Sequence, residues 1–108
     1  MIHELRCYDC LPGRLPQVLL RFEQDALPLW REMGIRPLGF WTTLVGENDQ
    51  SLHYMLAWES LAERETLWAR FATDPRWQEA RRRSETDGPL VARIRNSILK
   101  PALGFAPR

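Results

Sequence analysis

Residues 34–77 constrain this chain more than any other stretch. Gly34-Ile35-Arg36-Pro37-Leu38-Gly39-Phe40-Trp41-Thr42-Thr43 is dense in aromatic and β-branched side chains, which suit a pleated, half-buried surface. Gly46-Glu47-Asn48-Asp49-Gln50 is polar and turn-forming, and Tyr54-Met55-Leu56-Ala57-Trp58 resumes strand character. Ser60-Leu61-Ala62-Glu63 is a capping box, in which the Ser60 hydroxyl accepts from the Glu63 N–H and Glu63 reaches back. Asp74-Pro75 restarts a helix, with the aspartate as N-cap and proline at the first helical position. This predicts a hairpin of strands 35–45 and 51–59 followed by two helical pieces, the first carrying Leu61, Leu67, Trp68 and Phe71 inward.

The flanks complete the pattern. In residues 2–9, Ile2, Glu4, Arg6 and Tyr8 share one side, while His3, Leu5, Cys7 and Asp9 share the other, so this is a strand ended by Pro12-Gly13. Leu15, Val18, Leu19, Phe22, Ala26, Leu29 and Met33 recur at helical spacing and predict a helix over 15–33. Pro28 should kink it or shift its last turn, and Gly34 should close it in a left-handed conformation. Residues 91–99 are a last strand, with Ile94 and Ile98 on one side and Arg93, Arg95 and Leu99 on the other, before a tail from Pro101. The order strand, helix, strand, strand, helix, strand is the split βαβ plan of a ferredoxin-like α+β domain with an antiparallel sheet. No linker or repeat divides residues 1–108, so one domain is expected.

Two helices cover only one face of such a sheet, so the other should be polar. Yet Leu52, Tyr54, Leu56 and Trp58 oppose Met55 and Ala57, and Phe40, Thr42 and Leu44 oppose Trp41, Thr43 and Val45. Exposed apolar surface is unfavourable by roughly 25 cal/mol per Å², and large patches mark interfaces. A homodimer packed sheet against sheet is therefore expected.

Composition excludes several roles. With a formal charge of +1 and arginines spread along the chain, no nucleic-acid field is expected. Arg81-Arg82-Arg83, flanked by Glu79 and Glu85, reads as a solvated helix face. No apolar run approaches the roughly 20 residues that span a bilayer, and the N-terminus is strand-like rather than a leader, so no membrane association and a cytoplasmic location are expected.

The order and spacing of several short words resemble the NIPSNAP family. These are Glu4-Leu5-Arg6 with Tyr8, Pro12-Gly13, Gly39-Phe40-Trp41-Thr42, Gly46, Asn48, Gln50, Arg64, Asp74-Pro75 and Trp77. The resemblance implies a dimeric α+β barrel, shared with cofactor-free monooxygenases and haem-degrading enzymes. It brings no defined activity. The chain departs from the pattern at His3, where tyrosine is expected, at Met33, where the family often has histidine, and at Asp49, which separates Asn48 from Gln50.

Few residues suggest chemistry. Cys7-Tyr8-Asp9-Cys10 is a CxxC, but Cys7 lies within a strand rather than at a helix N-terminus, so the spacing reads as accidental. His3 and Cys7 are about 13 Å apart along the strand and cannot share an ion, so no metal and no cofactor are expected. Haem would need His3 or His53 as axial ligand, the weakest reading. Glu4, Arg6 and Tyr8 in a row must be paired inside a sheet. They read as ion pairs to Arg93, Arg95, Glu59 or a second subunit, or as the polar end of an aromatic pocket with Trp41, Tyr54 and Trp58. The leading expectation is a dimeric barrel that binds a small apolar or aromatic molecule. The alternatives are a cofactor-independent monooxygenase acting on an aromatic substrate and a protein-binding scaffold.

Overall fold

In the computed structural model, which describes residues 1–107, the chain runs β1 (Ile2–Cys10), α1 (Leu15–Arg21), a π-helical turn (Phe22–Ala26), α2 (Leu27–Met33), β2 (Arg36–Thr42), β3 (Ser51–Trp58), α3 (Leu61–Ala72), α4 (Pro75–Ser84) and β4 (Val91–Leu99). The strands form one sheet in the order β2-β3-β1-β4, with every neighbouring pair antiparallel. This is the expected ferredoxin-like α+β architecture. Tyr8, Leu52, Tyr54, Leu56 and Trp58 on one sheet face form a single core with Val18, Phe22, Trp30, Met33, Phe71 and Trp77 from the helices. The helices cover β2, β3 and β1 but leave the edge strand β4 bare. Ile94 and Ile98, turned to the helix side, remain 48% and 40% exposed.

Pro28 disturbs the helix, as expected, and the disturbance is a π-turn. The turn before it is widened, so that the Leu27 N–H reaches the Phe22 carbonyl five residues back. Proline donates no N–H and its ring crowds the carbonyl four residues earlier; a π-turn relieves both problems. The extra residue shifts the apolar stripe and brings Trp30 into the core beside Leu29. Gly34 then ends α2 at φ 86°, in the left-handed conformation expected of it.

β2 stops at Thr42 rather than 45, and Leu44 and Val45 are 95% and 92% exposed in the loop beyond. Polar side chains fold that loop. The Gln50 N–H donates to Asn48 Oδ1 at 2.9 Å, and Gln50 Oε1 accepts the Leu15 N–H at 3.2 Å, which satisfies one free donor at the start of α1. The capping box forms, with the Glu63 N–H donating to Ser60 Oγ at 3.1 Å. Glu63 reaches back to the N–H of Glu59, and its carboxylate also holds Arg36 at 2.8 Å. Asp74 caps α4 as expected, accepting from the Arg76 N–H at 2.8 Å. Leu61 and Leu19, expected inward, are 62% and 38% exposed. Leu61 is the first residue of α3, ahead of where that helix meets the sheet.

Candidate functional site

Glu4 is completely buried on the helix face of β1. Such a carboxylate is tolerable only if its lone pairs are used. Arg64 of α3 grips it with Nε and Nη2 at 2.8 and 2.9 Å. Arg6 Nη1, Asn96 Nδ2 and Trp58 Nε1 donate at 3.0, 3.0 and 3.1 Å. Burial alone would push this carboxyl up. The bonds from Arg64, Asn96 and Arg6 outweigh it and hold the pKa at about 2. Glu4 therefore pairs within the subunit, to Arg6 and Arg64. Arg93 and Arg95, the partners weighed from sequence, lie on the other face and hold Asp9 at 3.1–3.3 Å.

A hydrogen-bond chain leads away from Glu4. Arg6 Nε donates to Tyr54 Oη at 2.7 Å, and Tyr54 Oη–H donates to Tyr8 Oη at 3.1 Å. The direction is forced, because a guanidinium cannot accept and Tyr54, fully buried, has no other acceptor. Burial pushes the Tyr54 phenol well above its ordinary range, so it keeps that proton. The proton of Tyr8 is left to point away from Tyr54. Arg6 stacks on the Trp68 indole, 4.6 Å from its centroid.

Beyond Tyr8 and Arg6 the helix face opens into a cleft of about 440 Å³, between α3, α4 and the bare strand β4. Trp68, Phe71 and Trp77 form its aromatic wall. Arg21 reaches in from α1, its guanidinium 5.5 Å from the Trp77 centroid. Arg21 Nη1 bonds Ser84 Oγ at 3.2 Å and Glu85 Oε1 at 3.4 Å, while Nε is buried with no partner among the described residues. An unmade bond at a buried donor costs about 1–3 kcal/mol. Arg81 stands at the rim.

Of the residues singled out from sequence, Glu4, Arg6, Tyr8, Tyr54 and Trp58 come together on this face, and Arg6 and Tyr8 border the cleft. Glu4, Tyr54 and Trp58 lie behind them, fully buried. Trp41 stands on the opposite, open face, level with His53 and 54% exposed. Its ring is folded across Gly39, where a Cβ would sit 2.8 Å from the indole. His3 and His53 share that open face, His53 Nε2 lying 2.9 Å from Thr43 Oγ1. Cys7 and Cys10 are buried and unbridged on opposite faces. Burial pushes both thiols up, Cys10 to about 11. Among the described residues, no group of His, Cys, Asp and Glu is placed to hold a metal ion, and no helix is long and apolar enough to cross a membrane.

The NIPSNAP family model matches residues 3–106. The chain belongs to the NIPSNAP family. Its solved relatives include an uncharacterized NIPSNAP domain protein from Burkholderia xenovorans, 25% identical with a TM-score of 0.84 over 98% of this chain and 99% of that one. A NIPSNAP-like domain protein from the same organism is 28% identical, with a TM-score of 0.83 over 98% and 89%. A candidate antibiotic biosynthesis monooxygenase from Nitrosomonas europaea shares the fold, at 9% identity and a TM-score of 0.65 over 94% and 99%. Among curated proteins, nothing matches the chain significantly.

In this NIPSNAP chain most of the family-like words do structural work. Asn48 and Gln50 fold the β2–β3 loop, Gly39 makes room for Trp41, and Asp74-Pro75 starts α4. Arg64 is the clamp on Glu4. The cleft residues Arg21, Trp68, Trp77 and Arg81 were not legible as a site. Arg82 and Arg83 of the basic run pair with Glu79 and Asp25, as a solvated face would, but Arg81 has no salt-bridge partner among the described residues and turns to the cleft.

Proposed function

We propose that this NIPSNAP domain binds a small, largely aromatic or apolar molecule in the cleft between β4 and helices α3 and α4. The observation that carries the reading is the cleft itself. Its volume falls within the roughly 300–1,000 Å³ of small-molecule sites, and Trp68, Phe71, Trp77 and Tyr8 line it. The working unit is a homodimer joined through the open sheet face, where Leu5, Trp41 and Leu99 are 38%, 54% and 41% exposed. Two buried free thiols suit a reducing, cytoplasmic setting. The test is fluorescence titration with uncharged phenylnaphthylamine. Binding should be abolished by Ala72→Trp, which fills the cleft from the exposed end of α3. Binding unchanged by that plug would place the probe elsewhere and remove the reading.

A second reading is cofactor-independent oxygenation of an aromatic substrate in the same cleft. It is favoured by the fold shared with the Nitrosomonas protein and by a tyrosine, Tyr8, in the cleft lining. Oxygen uptake with electron-rich phenols and no added cofactor separates it from binding alone.

A further inference from the structure

The polar groups that face the cleft are nearly all donors. Arg6 and Arg21 both line it, Arg21 with its Nε unpaired among the described residues, and the Tyr8 hydroxyl already accepts from Tyr54. Arg81 adds a rim cation without a salt-bridge partner. The one acid at the cleft, Glu85, already accepts from Arg21 at 3.4 Å. A neutral apolar guest would cover these guanidinium groups without supplying a counter-charge, which is unfavourable. Guanidinium groups, planar and always charged, match oxyanions in particular. Both inner arginines also lie against indoles, Arg6 on Trp68 and Arg21 near Trp77, so their edges are fixed before anything binds.

Building on the cleft as the binding site, we infer that its ligand is an amphipathic anion. The aromatic or apolar body lies against Trp68, Phe71 and Trp77. A carboxylate, sulfonate or phosphate head is received by Arg21 and Arg6, with Tyr8 O–H as a further donor and Arg81 as the guiding charge at the mouth. The surplus of donors is what distinguishes this guest from the neutral one the aromatic wall alone would admit.

Two probes that share an aromatic body test this: anilinonaphthalene sulfonate, which is anionic, and phenylnaphthylamine, which is not. The sulfonate should bind about tenfold more tightly, the difference one or two charge-assisted hydrogen bonds make. Arg21→Met and Arg81→Gln should each erase much of that advantage while leaving the uncharged probe unchanged. Arg81 is exposed, so its variant folds even if Arg21→Met does not. Equal affinities for the two probes, indifferent to both arginines, would overturn the anion and leave the aromatic cleft standing. Binding of either probe that ignores the Ala72→Trp plug would remove both.

Discussion

The two ends of β1's helix face use the same chemistry to opposite effect. At the Glu4 end, Arg64, Arg6, Asn96 and Trp58 give five hydrogen bonds to one carboxylate, and no lone pair is idle. At the Tyr8 end, Arg21 Nε is buried with no partner among the described residues. The first arrangement is balanced and sealed, as a structural ion cluster must be. The second carries an unspent donor beside an aromatic wall, as a site awaiting a guest does. Arg6 belongs to both, giving Nη1 to Glu4 and Nε to Tyr54 while its side chain lines the cleft.

The comparison predicts where stability and binding separate. The largest effect should come from Glu4→Gln, which leaves Arg6 and Arg64 without their counter-charge; urea melts should show a loss of about 3–5 kcal/mol. Next is acid. The Glu4 carboxyl lies at about 2 in the fold against an ordinary 4.5. Its contribution is therefore full above about pH 4.5 and is lost as pH falls through about 2, worth about 3 kcal/mol in all. Glu4→Gln should remove that slope from stability measured across the same window; an unchanged slope would mean the carboxylate is not held as the bonds imply.

A smaller effect is expected for Arg6→Met. Glu4 keeps Arg64, Asn96 and Trp58, so the loss should be about 1–2 kcal/mol, well short of a stranded charge. Probe binding in the cleft should nonetheless weaken, because a guanidinium is lost from its lining. A loss as large as that of Glu4→Gln would show that Arg6 belongs wholly to the balanced end. Smallest of all, Arg81→Gln should leave stability within about 0.5 kcal/mol, as for other exposed substitutions, while weakening the sulfonate probe.

The fold was legible because its signals are local. The Ser60 cap, the Asp74-Pro75 start and the Gly34 stop each act within one turn, and strand parity grouped Glu4, Arg6 and Tyr8 on one side of β1 and Tyr54 and Trp58 on one side of β3, which the β1–β3 register then joins. The site was only half legible, because its other half comes from distant helices. Nothing in the sequence near Arg64 says that it meets a residue 60 positions earlier. Arg81 looked like its neighbours Arg82 and Arg83, and only the helix phase separates them. Trp41 was misjudged for a related reason: aromatic content marks burial or contact, but the side of the sheet is decided by which face the helices take. The π-turn at Phe22–Ala26 was hidden because Pro28 announces a disturbance without its form.

Native mass spectrometry of the protein titrated with anilinonaphthalene sulfonate tests the central claim most directly. The account predicts a dimer that takes up one probe per subunit, and an Ala72→Trp variant that remains a dimer and takes up none. A monomer, or probe adducts identical in the plugged variant, would contradict it.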